Sequence, residues 1–281
     1  MSDEKLQVFP KVSVYIPTKN RPFMLKRAID SVLSQDYPNV EVVVSDDGST
    51  DNTPEFMNDY CNQHDNVIYI RSETSKGACH ARNKAILASS GEFITGLDDD
   101  DRFTPDRIRY FVEAYRPGDS FLCSLFNNFD GERLIPSRYY QKVIGKNLIF
   151  RRNCVGNQIF VKKQDLLDNN LLFDENFPAW QDYDFFTNLI CHLGPARRIF
   201  VRSYTMHTDH EKERITSPKR TLQGYRLYLT KYRTLMNHSQ RVSLAVNAYN
   251  LQRKPMPKVL TKLCVKYLNF YDLFKILKSG R

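Results

Sequence analysis

The sequence contains no C-x-x-C pair. Its six cysteines stand at 61, 79, 123, 154, 191 and 264, too dispersed for a zinc site or for the disulfide framework of a small secreted domain. Reduced thiols in a cytosolic setting are expected. No window offers 18 consecutive apolar residues, so no membrane-spanning helix is expected. Met1 to Pro10 is polar and acidic and lacks the apolar stretch of a signal peptide. Internal repeats and low-complexity segments are absent. Acidic residues are scarce in one region only: residues 211–281 hold 3 against 16 Lys and Arg, whereas residues 1–210 hold 29 against 25. The net charge of +9 thus averages a mildly acidic body and a strongly basic tail.

The acids of the body are concentrated. Phe93-Ile94-Thr95-Gly96-Leu97 is a short apolar run that ends in four consecutive carboxylates, Asp98 to Asp101. Like charges at that density repel unless a cation sits among them. The run reads as a buried strand, and Arg107, Ile108, Phe111, Val112 and Tyr115 follow at helical spacing. The acids therefore lie at the carboxyl end of a strand, the edge where open α/β sheets bind ligands. A hard divalent cation takes carboxylate oxygens together with substrate phosphates, which points to a metal–diphosphate site. The same acids also suit an acidic loop that caps the following helix through its dipole.

Around this stretch strands and helices alternate. Val12–Pro17, Val40–Ser45 and Val67–Ile70 read as strands; helices are expected from Pro22, from Asn52-Thr53-Pro54, and over Gly77–Leu87. Four successive units of this kind give a mostly parallel sheet with right-handed crossovers, flanked by helices. The second strand also runs into acids, Asp46-Asp47-Gly48-Ser49-Thr50-Asp51, which is ordinary turn chemistry as well. Arg116 to Asn157 reads as loop-rich. Ile159–Val161 and Ile199–Tyr204 return as strands, and Asp182 falls at the start of a helix carried by Phe185, Phe186, Leu189 and Ile190. The expected division is a catalytic domain over 1–210, with a nucleotide-sugar half (11–115) and an acceptor half (116–210), and a basic helical extension over 211–281. Within the extension Lys258, Lys262, Lys266, Asn269, Asp272, Lys275 and Lys278 recur every three or four residues in an otherwise apolar stretch, the pattern of an amphipathic helix.

Taken together, five stretches resemble the GT-A glycosyltransferases of family 2. They are Ser13-Val14-Tyr15-Ile16-Pro17-Thr18 with Asn20; Val44-Ser45-Asp46-Asp47-Gly48-Ser49-Thr50-Asp51; Lys76-Gly77 with Ala81-Arg82-Asn83; Leu97 to Asp101 with Pro105; and Gln181-Asp182-Tyr183-Asp184. The resemblance covers about residues 11 to 210, and Gly77-Ala78-Cys79, Ile94-Thr95-Gly96 and Val155 to Gln158 look closest to enterobacterial exopolysaccharide transferases of the colanic-acid type. It implies a GT-A (Rossmann-like) fold, a nucleotide-diphospho-sugar donor with UDP favoured, Mg²⁺ or Mn²⁺, and inversion at the anomeric carbon. By the same resemblance Asp182 is the catalytic base, Asp100 a metal ligand with His207, or His210 three residues on, as a further one, and Asp98 and Asp99 face the ribose and diphosphate, the register of the D-x-D pair within Asp98 to Asp101 being open by one. Pro17, Thr18, Asn20, Asp46, Asp47, Lys76 and Arg82 then line the donor. Where many relatives carry Glu-Asp, this chain has Gln181-Asp182, so the base loses one like-charged neighbour.

The expected acceptor is a glycan or undecaprenyl-linked sugar in surface polysaccharide synthesis. The tail would then lie on the inner face of the cell membrane, its lysines drawn to anionic lipid; alternatively its apolar face packs on the catalytic domain or across a homodimer. A nucleic-acid-binding role is motivated by the basic tail, but its apolar face is too wide for that to be its main use. A nucleotide-sugar-binding protein without transfer activity would have no use for Asp182.

Overall fold

The computed structural model describes residues 9–156, 158–209, 217–251 and 257–267. β1 (Val12–Thr18) and β2 (Val40–Asp46) are buried along their whole length, as the continuous β-branched runs require of strands covered on both faces. Helix α1 (Pro22–Leu33) joins them, and α2 (Thr53–Gln63), β3 (Val67–Arg71), α3 (Ala78–Ala88) and β4 (Phe93–Gly96) complete the alternation. There follow β5 (Arg102–Phe103), α4 (Arg107–Ala114), β6 (Leu122–Phe129), β7 (Leu134–Pro136), β8 (Val143–Ile144) and α5 (Lys146–Ile149). Then come β9 (Ile159–Lys162), α6 (Lys163–Asp168), α7 (Gln181–His192) and β10 (Ala196–His207). The extension contributes α8 (Pro218–Tyr232), α9 (His238–Leu251) and α10 (Lys258–Lys266).

One sheet runs through the molecule in the order β3-β2-β1-β4-β9-β6-β10-β5, with β7 beside β6 and β8 beside β10. The block β3-β2-β1-β4 is parallel, β6 and β10 are parallel, and β9 enters antiparallel between β4 and β6. β1 has β2 on one side and β4 on the other, so the chain reverses its direction of winding there. Such a switch point opens a crevice outside the carboxyl ends of the strands. Thr18 and Asp46 are register partners at that edge, whereas β4 pairs with β1 only as far as Tyr15. Pro17 lies just past that point, where its missing N–H leaves no gap in the β4 ladder.

Alternate residues of the central strands feed two cores. Val12, Val14, Ile16, Val42 and Val44 pack with α1 and α4, while Tyr15 and Val43 pack with α3 and α7. The second core continues into the extension through Tyr228, Tyr232, Met236 and Leu244. α9 and α10 add a small cluster of Val242, Val246 and Cys264.

The structure departs from expectation in two places. The stretch read as loop-rich holds β6, eight residues long and buried over its first five. The last strand is also longer than expected, from Ala196 to His207; near its start the Arg197 guanidinium pairs with Asp119 and Arg198 Nη1 donates to the Gln141 carbonyl. Of the expected helix from Lys258 to Lys278, the described part is α10; its continuation lies outside the described residues.

Candidate active site

Three loops meet at the carboxyl edge of β1, β2 and β4. After β1 the chain takes a left-handed turn at Asn20 (φ 55°), a conformation that a short amide side chain tolerates. The Asn20 carbonyl oxygen accepts from Thr50 N–H at 2.8 Å and its own N–H donates to Ser49 Oγ at 2.9 Å, which stitches the β1 loop to the β2 loop. The carboxylate of Asp46, fully buried, accepts from Ser49 N–H at 2.8 Å, Ser49 Oγ at 2.6 Å and the Tyr69 hydroxyl at 2.6 Å. Asp47 accepts from Lys76 N–H at 2.7 Å and Gly77 N–H at 3.0 Å, the donors that open toward α3, and from Ser75 Oγ at 2.5 Å. Both carboxylates are thus spent on fixing the loops. The side chain of Lys76 is exposed at the same edge.

The four acids after β4 diverge. Asp98 accepts from Arg82 Nη2 at 2.9 Å, with the Gln158 amide 3.4 Å away. Asp99, buried, accepts from Thr18 Oγ1 at 2.9 Å and Arg21 Nη1 at 3.0 Å. Asp100 pairs with the same Arg21 nitrogen at 3.1 Å, and its carbonyl takes a hydrogen bond from Arg27. Asp101 is buried and accepts from the Tyr204 hydroxyl at 2.6 Å and His207 N–H at 2.8 Å. Burial pushes Asp99 up to about 6 against the pull of Arg21, and burial together with Asp98 and Asp100 pushes Asp101 well above the usual carboxylate range. So concentrated a set of acids resists full ionisation, and a bound cation would relieve it.

Across the crevice Asp182 stands in the first turn of α7, where the helix dipole favours a carboxylate. Its carboxylate is pushed up to about 6 by burial; Arg82, 4.0 Å away, pulls it down, and Asp98 pushes it up. The Arg82 guanidinium, over the Phe173 ring at 5.3 Å, therefore links Asp98 to Asp182. His207 ends β10, buried, its ring edge-on to Phe129. Nδ1 lies 3.3 Å from Asp209, and Nε2 has no hydrogen-bond partner among the described residues.

The arrangement sets Asp182 opposite a cluster of acids, with Arg82 between them. Residues 13–173 match the profile of the family described as Glycosyl transferase family 2. The chain belongs to that family. The family 2 chain is 31% identical over 271 residues to the "Putative colanic acid biosynthesis glycosyl transferase WcaA" of Escherichia coli (strain K12), covering 92% of this chain and 94% of that one. It is 40% identical over 178 residues to the "GalNAc(5)-diNAcBac-PP-undecaprenol beta-1,3-glucosyltransferase" of Campylobacter jejuni, covering 60% of this chain and 56% of that protein. Among solved structures, S. aureus TarS 1-349 in complex with UDP-GlcNAc superimposes with a TM-score of 0.65 at 20% identity, over 96% of this chain and 89% of that one. The Pyrobaculum calidifontis mannosyltransferase PcManGT, in complex with GDP-Man and Mn2+, gives 0.56 at 16% identity, over 98% and 85%. The glycosyltransferase fold of these neighbours, GT-A, is the fold of this chain.

For a family 2 glycosyltransferase two features were missed in the sequence. Arg21 clamps Asp99 and Asp100 together, yet as one basic residue after Asn20 it carried no signal of its own. Asp101 stood unassigned at the end of the acidic run, whereas here it ties β10, and with it His207, to the β4 loop. Among the described residues no three His, Cys, Asp or Glu side chains already converge on one point. The donor set nonetheless suits a divalent cation: Asp100 sits in an acid-rich loop, and a neutral imidazole nitrogen is buried without a partner. Burial and Arg27 lower the His207 pKa against the pull of Asp209, which favours the neutral imidazole, the form that ligates metals. Two protein ligands with phosphate oxygens completing the shell is the ordinary manner of Mg²⁺.

Proposed function

We propose that the chain is an inverting, divalent-metal-dependent glycosyltransferase that moves a sugar from a nucleotide-diphospho-sugar, UDP favoured, to a glycan or undecaprenyl-linked acceptor in bacterial surface polysaccharide synthesis. The observation that carries this reading is the placement of Asp182 in the first turn of α7 with Arg82 between it and Asp98, and burial lifts its pKa to about 6. A base with that pKa is ionised at neutral pH and still basic enough to take a proton.

The nucleoside would lie over the β1 and β2 loops, against Pro17, Thr18 and Asn20, in a cradle that Asp46 and Asp47 hold in shape. Asp98 and Asp99 are on the ribose and diphosphate side, Lys76 and Arg82 offer cationic donors, and Asp100 and His207 would hold the metal. When bound, the cation neutralises charge on the departing diphosphate. Asp182 takes the proton of the acceptor hydroxyl, whose oxygen bonds to the anomeric carbon from the face opposite the leaving group. The anomeric C–O bond breaks, and its electron pair leaves on the nucleoside diphosphate. One displacement inverts the anomeric centre with no enzyme nucleophile.

The undecaprenyl-linked acceptor rests on the similarity to the Campylobacter relative, named for an undecaprenol-linked substrate, and on the basic tail. No helix of the described residues is long and apolar enough to cross a membrane. The lysines of α10 accord with a peripheral position on the inner leaflet, and the apolar face of the tail would alternatively pack on protein, as Cys264 does on Val242 and Val246, or across a homodimer. The reading is tested by screening UDP-, GDP- and dTDP-sugars by thermal shift with Mn²⁺, then determining the anomeric configuration of the product by NMR. A raised Tm with a UDP-sugar and an inverted product are expected. Retention of configuration would refute the single-displacement route.

A further inference from the structure

The turn that delivers Asp182 is held in an unfavourable backbone conformation. Trp180, immediately before α7, has φ 69° and ψ 18°, the left-handed region that a bulky aromatic residue rarely adopts. Such a residue persists only where its surroundings over-determine it. Those surroundings come from the extension. Gly224 of α8 lies flat against the turn, and a Cβ there would collide with the Ala179 carbonyl oxygen and crowd the Trp180 ring. Tyr225 and Tyr228 meet the Trp180 ring edge-on at 5.9 and 5.8 Å. Tyr228 also stacks on Tyr183 at 4.4 Å and shares a 2.7 Å hydrogen bond with Thr187.

One turn further along, α8 holds Asp184. Its carboxylate, buried, accepts from Lys231 Nζ at 2.9 Å and from the Tyr232 hydroxyl at 2.9 Å, while its N–H donates to the Trp180 carbonyl at 2.8 Å. Lys231 reaches Asp174 at 3.0 Å as well, so one ammonium ties the preceding loop to α7. Gly224, Tyr228, Lys231 and Tyr232 follow the i, i+4, i+7, i+8 spacing of a single helix face. That face grips the residues on both sides of Asp182 without touching its carboxylate.

We infer that α8 is a positioning element of the active site, in which Gly224, Lys231 and Tyr232 fix the 179–184 turn and thereby aim the Asp182 carboxylate. The inference rests on the reading of Asp182 as the base. The groups that face Asp182 electrostatically are Arg82 and Cys79 from α3, Asp98 after β4 and Tyr15 from β1. If the turn loosens, Asp182 moves relative to Arg82, and both its aim and its protonation change. A misplacement of about 1 Å can cost of order 10²-fold in rate.

The test uses the full chain and its single tryptophan, Trp180, which makes fluorescence a local reporter of the turn. Lys231→Met, Lys231→Arg, Tyr232→Phe and Gly224→Ala are compared with Asp182→Asn. Each is assayed for acrylamide quenching and for UDP release from UDP-glucose or UDP-GlcNAc with Mn²⁺ and an undecaprenyl-diphosphate-linked sugar. Lys231→Met and Tyr232→Phe should fold, quench more readily, lose about tenfold or more in kcat with donor KM within about twofold, and move the acid limb of the pH–rate profile. Lys231→Arg should recover most of the loss. If Gly224→Ala does not fold, the Lys231 and Tyr232 variants decide. Wild-type quenching, kcat and acid limb in folded Lys231→Met and Tyr232→Phe overturn the inference while leaving the base intact. Full transfer by Asp182→Asn overturns the underlying reading instead.

Discussion

Replacing Arg82 by methionine removes the cation that pairs with Asp182 among the described residues while keeping an apolar stem near Phe173. Arg82 Nη1 is 4.0 Å from the Asp182 carboxylate. Two unit charges at that distance attract by about 4 kcal/mol at an effective dielectric of about 20. The whole of that would be about three pKa units. The Asp182 side chain is 34% exposed, so solvent screens part of it, and a rise of roughly one to two units is the reasonable expectation. The sign is fixed: Asp182 works ionised, activity is lost as pH falls through its pKa, and loss of Arg82 raises that pKa from about 6. The acid limb of kcat/KM should therefore move to roughly pH 7 to 8, with activity at pH 7 down by about two- to tenfold and regained near pH 9. The assay is UDP release across pH 5 to 9 on protein checked by circular dichroism. An unmoved acid limb with only a weaker donor KM would refute the coupling and leave Arg82 as a donor contact.

Asp100→Ala, or EDTA on the wild type, should abolish transfer and the donor-dependent rise in Tm while leaving the far-UV spectrum unchanged; full turnover in EDTA contradicts the metal assignment. His207→Ala should weaken Mn²⁺-dependent donor binding, read by titrating Mn²⁺ against the thermal shift, and an unchanged Mn²⁺ requirement removes it from the ligand set. The intact protein should float with liposomes in proportion to their anionic lipid at low salt, because each lysine near such a surface contributes about 1 kcal/mol. If it stays soluble with every lipid, the apolar face of the tail is covered by protein.

The strands that build the crevice were legible because they are buried on both faces. β1, β2 and β4 read as apolar runs, and each delivers its polar residues at the carboxyl edge. β6 escaped because Ser124, Asn127 and Asn128 interrupt its apolar residues, and Ser124 is satisfied by a tertiary partner, Arg107. The carboxylates were visible as carboxylates, but not how they are spent. Nothing local separates Asp46, buried under Ser49 and Tyr69, from Asp98, which faces Arg82. The grip of α8 on Asp184 joins residues 47 and 48 positions apart, a pairing set by the packing of α8 on α7 rather than by any neighbouring sequence. Arg21 went unnoticed for the same reason, since its partners lie 78 and 79 residues away.

The central claim is that Asp182 is the base of a sugar transfer. The most direct measurement is acceptor-dependent UDP release by Asp182→Asn beside the wild type, with UDP affinity measured on the same samples. The amide keeps the size of the side chain and cannot take a proton. Unchanged UDP binding with turnover reduced by about 10²-fold or more is predicted. Turnover at the wild-type level, or a collapse of UDP affinity with turnover intact at saturating donor, would contradict it.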